Sequence, residues 1–169
     1  YGFAYNANGD LVQLTMPNGA LHHFVRTPSG LPGTYIMPDG HGYTTLYNID
    51  QQRESVTLPL ADTETFAYDT SGNIQTISYP EATVQFTYGG TPASCCICGD
   101  GQMTITRTPV SGMAQSLELA YDGHLLTGVG FTGAANGQYT FAYDEGFNPV
   151  SVTLEGIGAT ALGFNGDGE

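Results

Sequence analysis

Short apolar runs along this chain are separated by polar turn segments, and the alternation predicts strands and turns. In residues 66–80, Phe66 and Tyr68 are two apart and therefore share one face of a strand. Gly72 supplies the positive φ that a short hairpin loop needs, and Pro80 ends the next run of β-formers. No segment of ten or more residues has apolar residues at the 3.6-residue period of a helix.

The same pattern recurs along most of the chain. A marker residue, aligned on the Tyr of Phe-x-Tyr-Asp, falls at positions 5, 26, 47, 68, 88, 121, 143 and 164, so the steps are 21, 21, 21, 20, 33, 22 and 21. A proline lies 12 residues after each of the first four markers, at Pro17, Pro38, Pro59 and Pro80. Two turns in about 21 residues leave two strands of about six residues, so each repeat is expected to be one β-hairpin.

A single hairpin cannot bury its apolar face, so successive hairpins are expected to stack edge to edge. We therefore predict an all-β fold of tandem antiparallel β-hairpin repeats that form one curved or spiralling sheet. Residues 1–169 are expected to be a single domain and, because both ends interrupt a repeat, a fragment of a longer or processed chain. One spacing leaves two alternatives. Leu11 and Leu14, like Ile74 and Ile77, are three apart, so either a bulge intervenes or both faces of the sheet are partly buried.

An Asp or Asn recurs directly after the marker residue. This recurrence predicts a turn-stabilising role, because every hairpin needs such a residue and no active site needs five copies. The residues assigned to this structural role are Tyr5, Asn6, Gly9, Tyr47, Asn48, Tyr68, Asp69, Gly72, Tyr121, Asp122, Tyr143 and Asp144.

The repeat is interrupted by an insertion at residues 89–101, which is expected to project as a loop and contains the three cysteines. A disulfide between Cys95 and Cys98 would leave Cys96 free to link chains. A zinc site would need a fourth ligand, for example a histidine, and a cysteine nucleophile would need a nearby base. We favour the disulfide and expect no metal.

Charge narrows the classes of partner. Three Arg, no Lys and 16 acidic residues give a net charge of −13, which should repel nucleic acid and anionic membranes. No apolar run is long enough to span a bilayer, so membrane insertion is not expected. No acid, base and nucleophile cluster can be assembled from the sequence, so we expect neither an enzyme nor a cofactor. The absence of Lys also removes the usual charge that blunts exposed sheet edges.

Three further features favour structural roles. His22 and His23 are adjacent on a predicted strand, so they face opposite ways and do not form a metal pair, while His41 and His124 lie in predicted turns. Residues 165–169 lack the spaced oxygen ligands of a calcium loop. The aromatic ladder is a wall stripe or, alternatively, a sugar-binding platform. It consists of Phe3, Tyr5, Phe24, Tyr47, Phe66, Tyr68, Phe86, Tyr88, Tyr121, Phe141 and Tyr143.

The repeat resembles the RHS or YD-repeat family. Residues 5–11, Tyr-Asn-Ala-Asn-Gly-Asp-Leu, followed by Pro17-Asn18-Gly19, match its pattern of Tyr-Asp-x-x-Gly-Asn/Arg-Leu and Pro-Asp/Asn-Gly, and residues 68–74 match equally well. The resemblance covers nearly all of the chain apart from the cysteine loop. Members include bacterial polymorphic toxins, shell components of insecticidal toxin complexes, and teneurins, whose hairpins spiral into hollow shells.

The resemblance implies a structural segment of a large secreted, extracellular or cell-surface protein. Its partners would be further repeats of the same polypeptide or copies of itself. Two alternatives stay open. The chain could be a self-assembling extracellular filament subunit, or an adhesive module that binds glycans through exposed tyrosines.

Overall fold

The computed structural model describes residues 1–89 and 101–162, and within them all regular structure is β-strand. The chain divides into two compact units, Tyr1–Pro80 and Glu81–Glu169. The strands of the first unit are β1 (Gly2–Tyr5), β2 (Leu11–Thr15), β3 (Leu21–Arg26), β4 (Pro32–Ile36), β5 (Gly42–Tyr47), β6 (Arg53–Thr57), β7 (Thr63–Tyr68) and β8 (Ile74–Ser78). Those of the second are β9 (Ala82–Gly89), β10 (Gln102–Pro109), β11 (Gln115–Asp122), β12 (Leu125–Thr132), β13 (Gly137–Tyr143), β14 (Pro149–Leu154) and β15 (Gly158–Ala161).

Within each unit, every strand pairs antiparallel with the next strand in the chain. This order follows from the short turns, since two strands joined by a few residues can pair only antiparallel. The prediction of an all-β fold built from tandem hairpins is therefore confirmed.

Six of the marker residues sit opposite β-bulges, which answers the question of the three-residue spacing, whereas the marker Tyr88 pairs with Met103 in regular register. Ala4 pairs with Gln13, but Tyr5 pairs with Leu11, so Val12 is an extra residue in β2. The same shift occurs opposite positions 26, 47, 68, 121 and 143. A bulge returns the strand to the same face after three residues. Of the two alternatives, the bulge is correct.

Following the paired residues from strand to strand shows that the two faces of each sheet differ. One, which we call the aromatic face, carries large apolar side chains: Phe3, Tyr5, Leu14, Phe24, Tyr35, Tyr43, Tyr47, Phe66, Tyr68 and Ile77 in the first unit, and Phe86, Tyr88, Ile105, Leu117, Leu119, Val129, Phe131, Tyr139, Phe141 and Tyr143 in the second.

The opposite face, which we call the hydroxyl face, is rich in Thr, Ser and Gln. One row of paired threonines crosses β4 to β7, at Thr34, Thr44, Thr57 and Thr63. A few apolar residues also lie on this face, among them Val25 and Leu46, which are 54% and 55% exposed. Threonine is β-branched and suits an extended backbone while its hydroxyl faces water.

The units have almost no fully buried interior. Among the described residues, Ala82, which is 3% exposed, is the single buried apolar side chain, and most aromatic-face residues are half-buried. Stable domains ordinarily pack at least two layers of secondary structure around a core. Neighbouring side chains on the same face therefore supply most of the burial that these sheets obtain.

Candidate functional site: the repeat turns and the contacts between repeats

The first turn of each regular repeat is a three-residue loop with fixed hydrogen bonds. In the first copy, the N–H of Gly9 donates to the carbonyl of Asn6 at 3.1 Å, and the N–H of Asn6 donates to the carbonyl of Asp10 at 2.9 Å. Gly9 has a φ of 82°, and the equivalent Gly30 and Gly72 have values of 82° and 85°. This is a type I turn followed by a left-handed residue, a common way to close a hairpin.

The residue after the marker holds this turn from inside. A side-chain oxygen, Oδ1, of Asn6, Asn48, Asp69 and Asp144 accepts hydrogen bonds from the backbone N–H groups two and four residues further on, at 2.8–3.0 Å. Thr27 performs part of the same role, because its Oγ1 accepts from the N–H of Leu31 at 3.1 Å. A short polar side chain at this position thus satisfies amides that the turn would leave unpaired.

The carboxylate versions of this cap have lowered pKa values. Hydrogen bonds from the side chain and backbone of Asn73, and from the backbone of Ser71, hold the pKa of Asp69 below its ordinary value of 3.8. The backbone and side chain of Asn148, with the backbone of Gly146, lower the pKa of Asp144 in the same way. Hydrogen bonds to the charged form favour that form, so these shifts follow from the geometry of the turn.

The second turn of the repeat has the same backbone form. The N–H of Met16 donates to the carbonyl of Ala20 at 2.8 Å, and Gly19, with φ of 84°, closes the loop. Asn18 Oδ1 accepts from the N–H of Ala20 at 3.1 Å. In the next repeat, Oδ1 of Asp39 accepts a hydrogen bond from the N–H of His41 at 3.0 Å. This bond is the main cause of the lowered pKa of Asp39.

Three non-glycine residues occupy the left-handed position of these turns. Gln51 and Phe147 fall at the first-turn position with φ of 63° and 64°, and Ala61 falls at the second-turn position with φ of 69°. The left-handed region is unfavourable for residues with a Cβ. The repeat therefore imposes its turn geometry even where the sequence lacks the expected glycine.

Marker tyrosines connect one repeat to the preceding one. The hydroxyl of Tyr47 donates to the backbone carbonyl of Pro32 at 2.9 Å, and the hydroxyl of Tyr143 donates to that of Leu126 at 2.6 Å. In both cases the acceptor is the residue that pairs with the marker of the preceding repeat, at the site of the bulge. A bulge leaves backbone groups outside the regular ladder, and the tyrosine hydroxyl satisfies one of them.

Two further contacts join neighbouring first turns of the first unit. Gln52 donates from Nε2 to the carbonyl of Gly72, in the next repeat, at 3.0 Å. Between the first and second repeats, Oδ1 of Asp10 lies 3.4 Å from Nε of Arg26. Nη1 of Arg26 donates a hydrogen bond to the carbonyl of Gly30 at 2.9 Å. Both arrangements end on the carbonyl of the left-handed glycine of the following repeat. The turns are thus linked along the edge of the sheet by side chains of different type.

An aromatic cluster crosses three strands on the aromatic face of the first unit. The ring centroids of Phe24 and Tyr35 are 5.3 Å apart, and those of Tyr35 and Tyr43 are 6.3 Å apart, with interplanar angles of 20° and 13°. His22 stacks on Tyr35 and its Nδ1 lies 2.7 Å from the tyrosine hydroxyl. Because the rings stack on one another, their faces are turned to neighbours, as in a stabilising stripe.

Other candidate residues lie apart from these contacts. Tyr121 and Asp122 end β11, and Asp122 pairs with Leu125 across a two-residue turn that contains His124. His22 and His23 pair with Leu14 and Gln13 respectively, so they face opposite ways.

The candidates for disulfide and metal chemistry fall elsewhere. The cysteine insertion with Cys95, Cys96 and Cys98, and the terminal segment at 165–169, lie outside the described residues. Within residues 1–89 and 101–162, no group of three or more His, Cys, Asp or Glu side chains is arranged to hold a metal ion. The part of the chain that the structure describes also contains no helix long and apolar enough to cross a membrane.

Sequence reasoning missed several of these contacts. Tyr35 and Tyr43 are outside the marker positions, although counting outward from the turns would have placed Tyr35 opposite Phe24 and Tyr43 opposite Tyr35. The hydroxyl bonds of Tyr47 and Tyr143 and the reach of Gln52 depend on the distance between neighbouring turns. No local pattern reports that distance.

Repeated antiparallel hairpins, side-chain-capped turns and bulges at a fixed position define a tandem β-hairpin repeat protein with a structural role. The model of the Teneurin YD-shell family matches residues 1–163. The chain therefore belongs to the Teneurin YD-shell family, which confirms the resemblance to YD repeats, and its hairpins are structural repeats of that type.

Comparison with solved structures gives a match to a chain in the crystal structure of TcdB2-TccC3-Cdc42. The two share 11% sequence identity with a TM-score of 0.40. The match covers 96% of this chain and 12% of that one. A comparison with curated proteins found no match.

Proposed function

We propose that this chain is a wall segment of a YD-repeat shell in a large secreted or surface-displayed protein. The observation that carries the proposal is the set of bonds between consecutive repeats. Tyr47 reaches Pro32 and Gln52 reaches Gly72, in each case across a repeat boundary. Such bonds add to strand pairing and make each repeat a support for the next.

The proposed role is mechanical and not catalytic. Strand pairing extends the wall, and the bulges and tyrosine hydroxyls fix how one hairpin follows another. The capping side chains, such as Asp69 and Asp144, direct their oxygens to amides of their own turn, so we assign them to structure. Family membership supports the same conclusion.

The proposed partners are further repeats of the same polypeptide. The aromatic faces are half-buried with neighbours of their own sheet alone, and additional hairpins paired edge to edge would add neighbouring side chains beside the outermost strands of each face. We do not extend the proposal to glycans, because the rings of Phe24, Tyr35 and Tyr43 are stacked against each other. Sugar binding ordinarily uses an open ring face.

Electron microscopy of the natural polypeptide that contains this chain tests the proposal. A closed hollow body in which this segment forms part of the wall is expected. An extended fibre that grows with protein concentration would favour the self-assembling alternative instead. Non-reducing electrophoresis of the same sample would show whether cysteines link separate chains, as a cross-linked filament requires.

The location can be tested separately. Antibody labelling of intact cells and of culture medium should detect the protein without permeabilisation. Detection only after the cells are opened would contradict the secreted or surface-displayed part of the proposal and leave the shell itself to be decided by microscopy.

A further inference from the structure

The second unit contains an open cleft on its aromatic face that the shell role does not use. Its volume is about 370 Å³, within the range of small-molecule sites. Its floor is a row of paired residues on three adjacent strands, Ile105 on β10, Leu117 on β11 and Phe131 on β12. Strands are about 4.8 Å apart, so this apolar row is roughly 10 Å long.

The absence of a side chain at Gly137 allows the ring of Phe131 to occupy its place at one end of the cleft. The ring of Phe131 lies over Gly137, where a Cβ would come within 2.6 Å of the ring carbon Cζ. The same ring packs against Tyr139 with centroids 6.1 Å apart. Ala134 and Ala135, in the turn between β12 and β13, add two small apolar side chains beside it.

A cationic side chain lies beside the Ile105 end of the apolar row. Arg107 and Gln115 pair with each other in the next row of β10 and β11, and both line the cleft. Among the described residues, the ion pairs join Arg26 to Asp10 and His41 to Asp39, and Arg107 belongs to neither. In a chain with 16 acidic residues and three arginines, an exposed guanidinium beside an apolar floor is available to an external anion.

We propose that this cleft binds a medium-chain fatty acid, with the aliphatic tail over Ile105, Leu117 and Phe131 and the carboxylate on Arg107. Guanidinium matches a carboxylate with two parallel hydrogen bonds, and the Gln115 amide offers a further donor. The net charge of −13 opposes anions at long range, but at physiological salt such repulsion is screened beyond about 8 Å. Recognition therefore rests on the local contacts.

The test is a methyl NMR titration of the chain with octanoate in 0.15 M salt, with octanol as the neutral probe of similar length. Saturable shifts are expected at the methyl groups of Ile105, Leu117, Ala134 and Ala135. Arg107→Gln should weaken octanoate binding by about tenfold, the loss expected for one charged hydrogen-bonded contact, and leave octanol binding unchanged. Arg53→Gln, in the first unit, is the matched control and should have no effect on octanoate.

Three results would overturn the proposal. These are an absence of saturable shifts, equal binding of octanoate by the two arginine variants, and shifts spread evenly over the aromatic face as in non-specific partition. If Arg107→Gln fails to fold, a salt series on the unaltered chain decides the same point. Added salt should weaken octanoate binding if the ion pair contributes, whereas purely apolar binding would be unchanged or stronger.

Discussion

The hydroxyl of Tyr143 donates a 2.6 Å hydrogen bond to the backbone carbonyl of Leu126, one repeat earlier in the chain. Tyr47 makes the equivalent bond to Pro32 at 2.9 Å. The phenol thus contributes more than an apolar ring to the repeat, because its oxygen contacts the bulge of the neighbouring hairpin.

Replacing either tyrosine by phenylalanine should lower the free energy of unfolding by about 0.5–1.5 kcal/mol, since one hydrogen bond is lost while the ring remains, and the loss should be smaller at Tyr47, whose bond is exposed, than at Tyr143, whose bond is partly buried. Urea denaturation followed by circular dichroism measures the change. Tyr139→Phe is the control, because the structure shows a ring contact but no hydroxyl bond for Tyr139 within the described residues. A loss at Tyr139 as large as that at Tyr143 would show that the hydroxyl bond to Leu126 is not the cause.

Glycine at the non-glycine left-handed positions should stabilise the protein. Gln51→Gly, Ala61→Gly and Phe147→Gly each remove a Cβ from a residue with φ between 63° and 69°. A gain of about 0.5–1 kcal/mol per site is expected, because relief of strain exceeds the extra entropy of glycine in the unfolded chain. The reverse change, Gly19→Ala, should destabilise by a similar or larger amount although nothing lies within 4 Å of its added Cβ. Unchanged denaturation midpoints in all four variants would contradict the strain.

Acid should weaken the turns that carry a carboxylate. The folded pKa values of Asp69 and Asp144 are below 3.8, so their contribution is present above the unfolded pKa and is lost as pH falls through the lower folded pKa. The double change Asp69→Asn and Asp144→Asn gives these turns the amide already found at Asn6 and Asn48. Melting temperatures between pH 7 and pH 2 should fall less steeply for this variant. Parallel curves for the two proteins would show that these carboxylates do not set the acid response.

Gly42 should not tolerate a side chain. An added Cβ would overlap the backbone carbonyl of Tyr35 on the adjacent strand. Gly42→Ala is therefore expected to destabilise by about 1–3 kcal/mol through backbone displacement. Gly130→Ala is the matched strand control, since its Cβ would meet Glu118 at an ordinary 3.6 Å. Thermal melts of the two variants should separate clearly, and similar melting temperatures would count against the close approach of β4 and β5.

The repeat itself could be predicted because it is a local pattern. Tyr68, Asp69 and Gly72 recur at fixed spacing, and each has a conformational reason to occupy its place in a hairpin. The hairpins and the presence of turns follow directly from that spacing. The choice between a bulge and two half-buried faces did not, since Leu11 and Leu14 are compatible with both until the pairing register is known.

The remaining features depend on distances between strands. Nothing near Gln52 in the sequence indicates that its amide reaches Gly72, 20 residues further on. The cleft beside Arg107 likewise depends on the register of β10, β11 and β12, and on the missing side chain of Gly137. Single-residue properties do not encode such juxtapositions.

The bulges also determine which face of the sheet each marker residue occupies. In an unbroken strand, side chains alternate between faces every residue, so a repeat of 21 residues, an odd number, would send successive marker tyrosines to opposite sides. One extra residue per hairpin, such as Val12 or Gln75, makes up the difference and keeps Tyr5 and Tyr68 on one side. Deleting a single bulge residue such as Val12 would leave Phe3 opposite Leu14 and Ala4 opposite Gln13, so it would restore regular alternation in β2 and keep every later side chain on its present face.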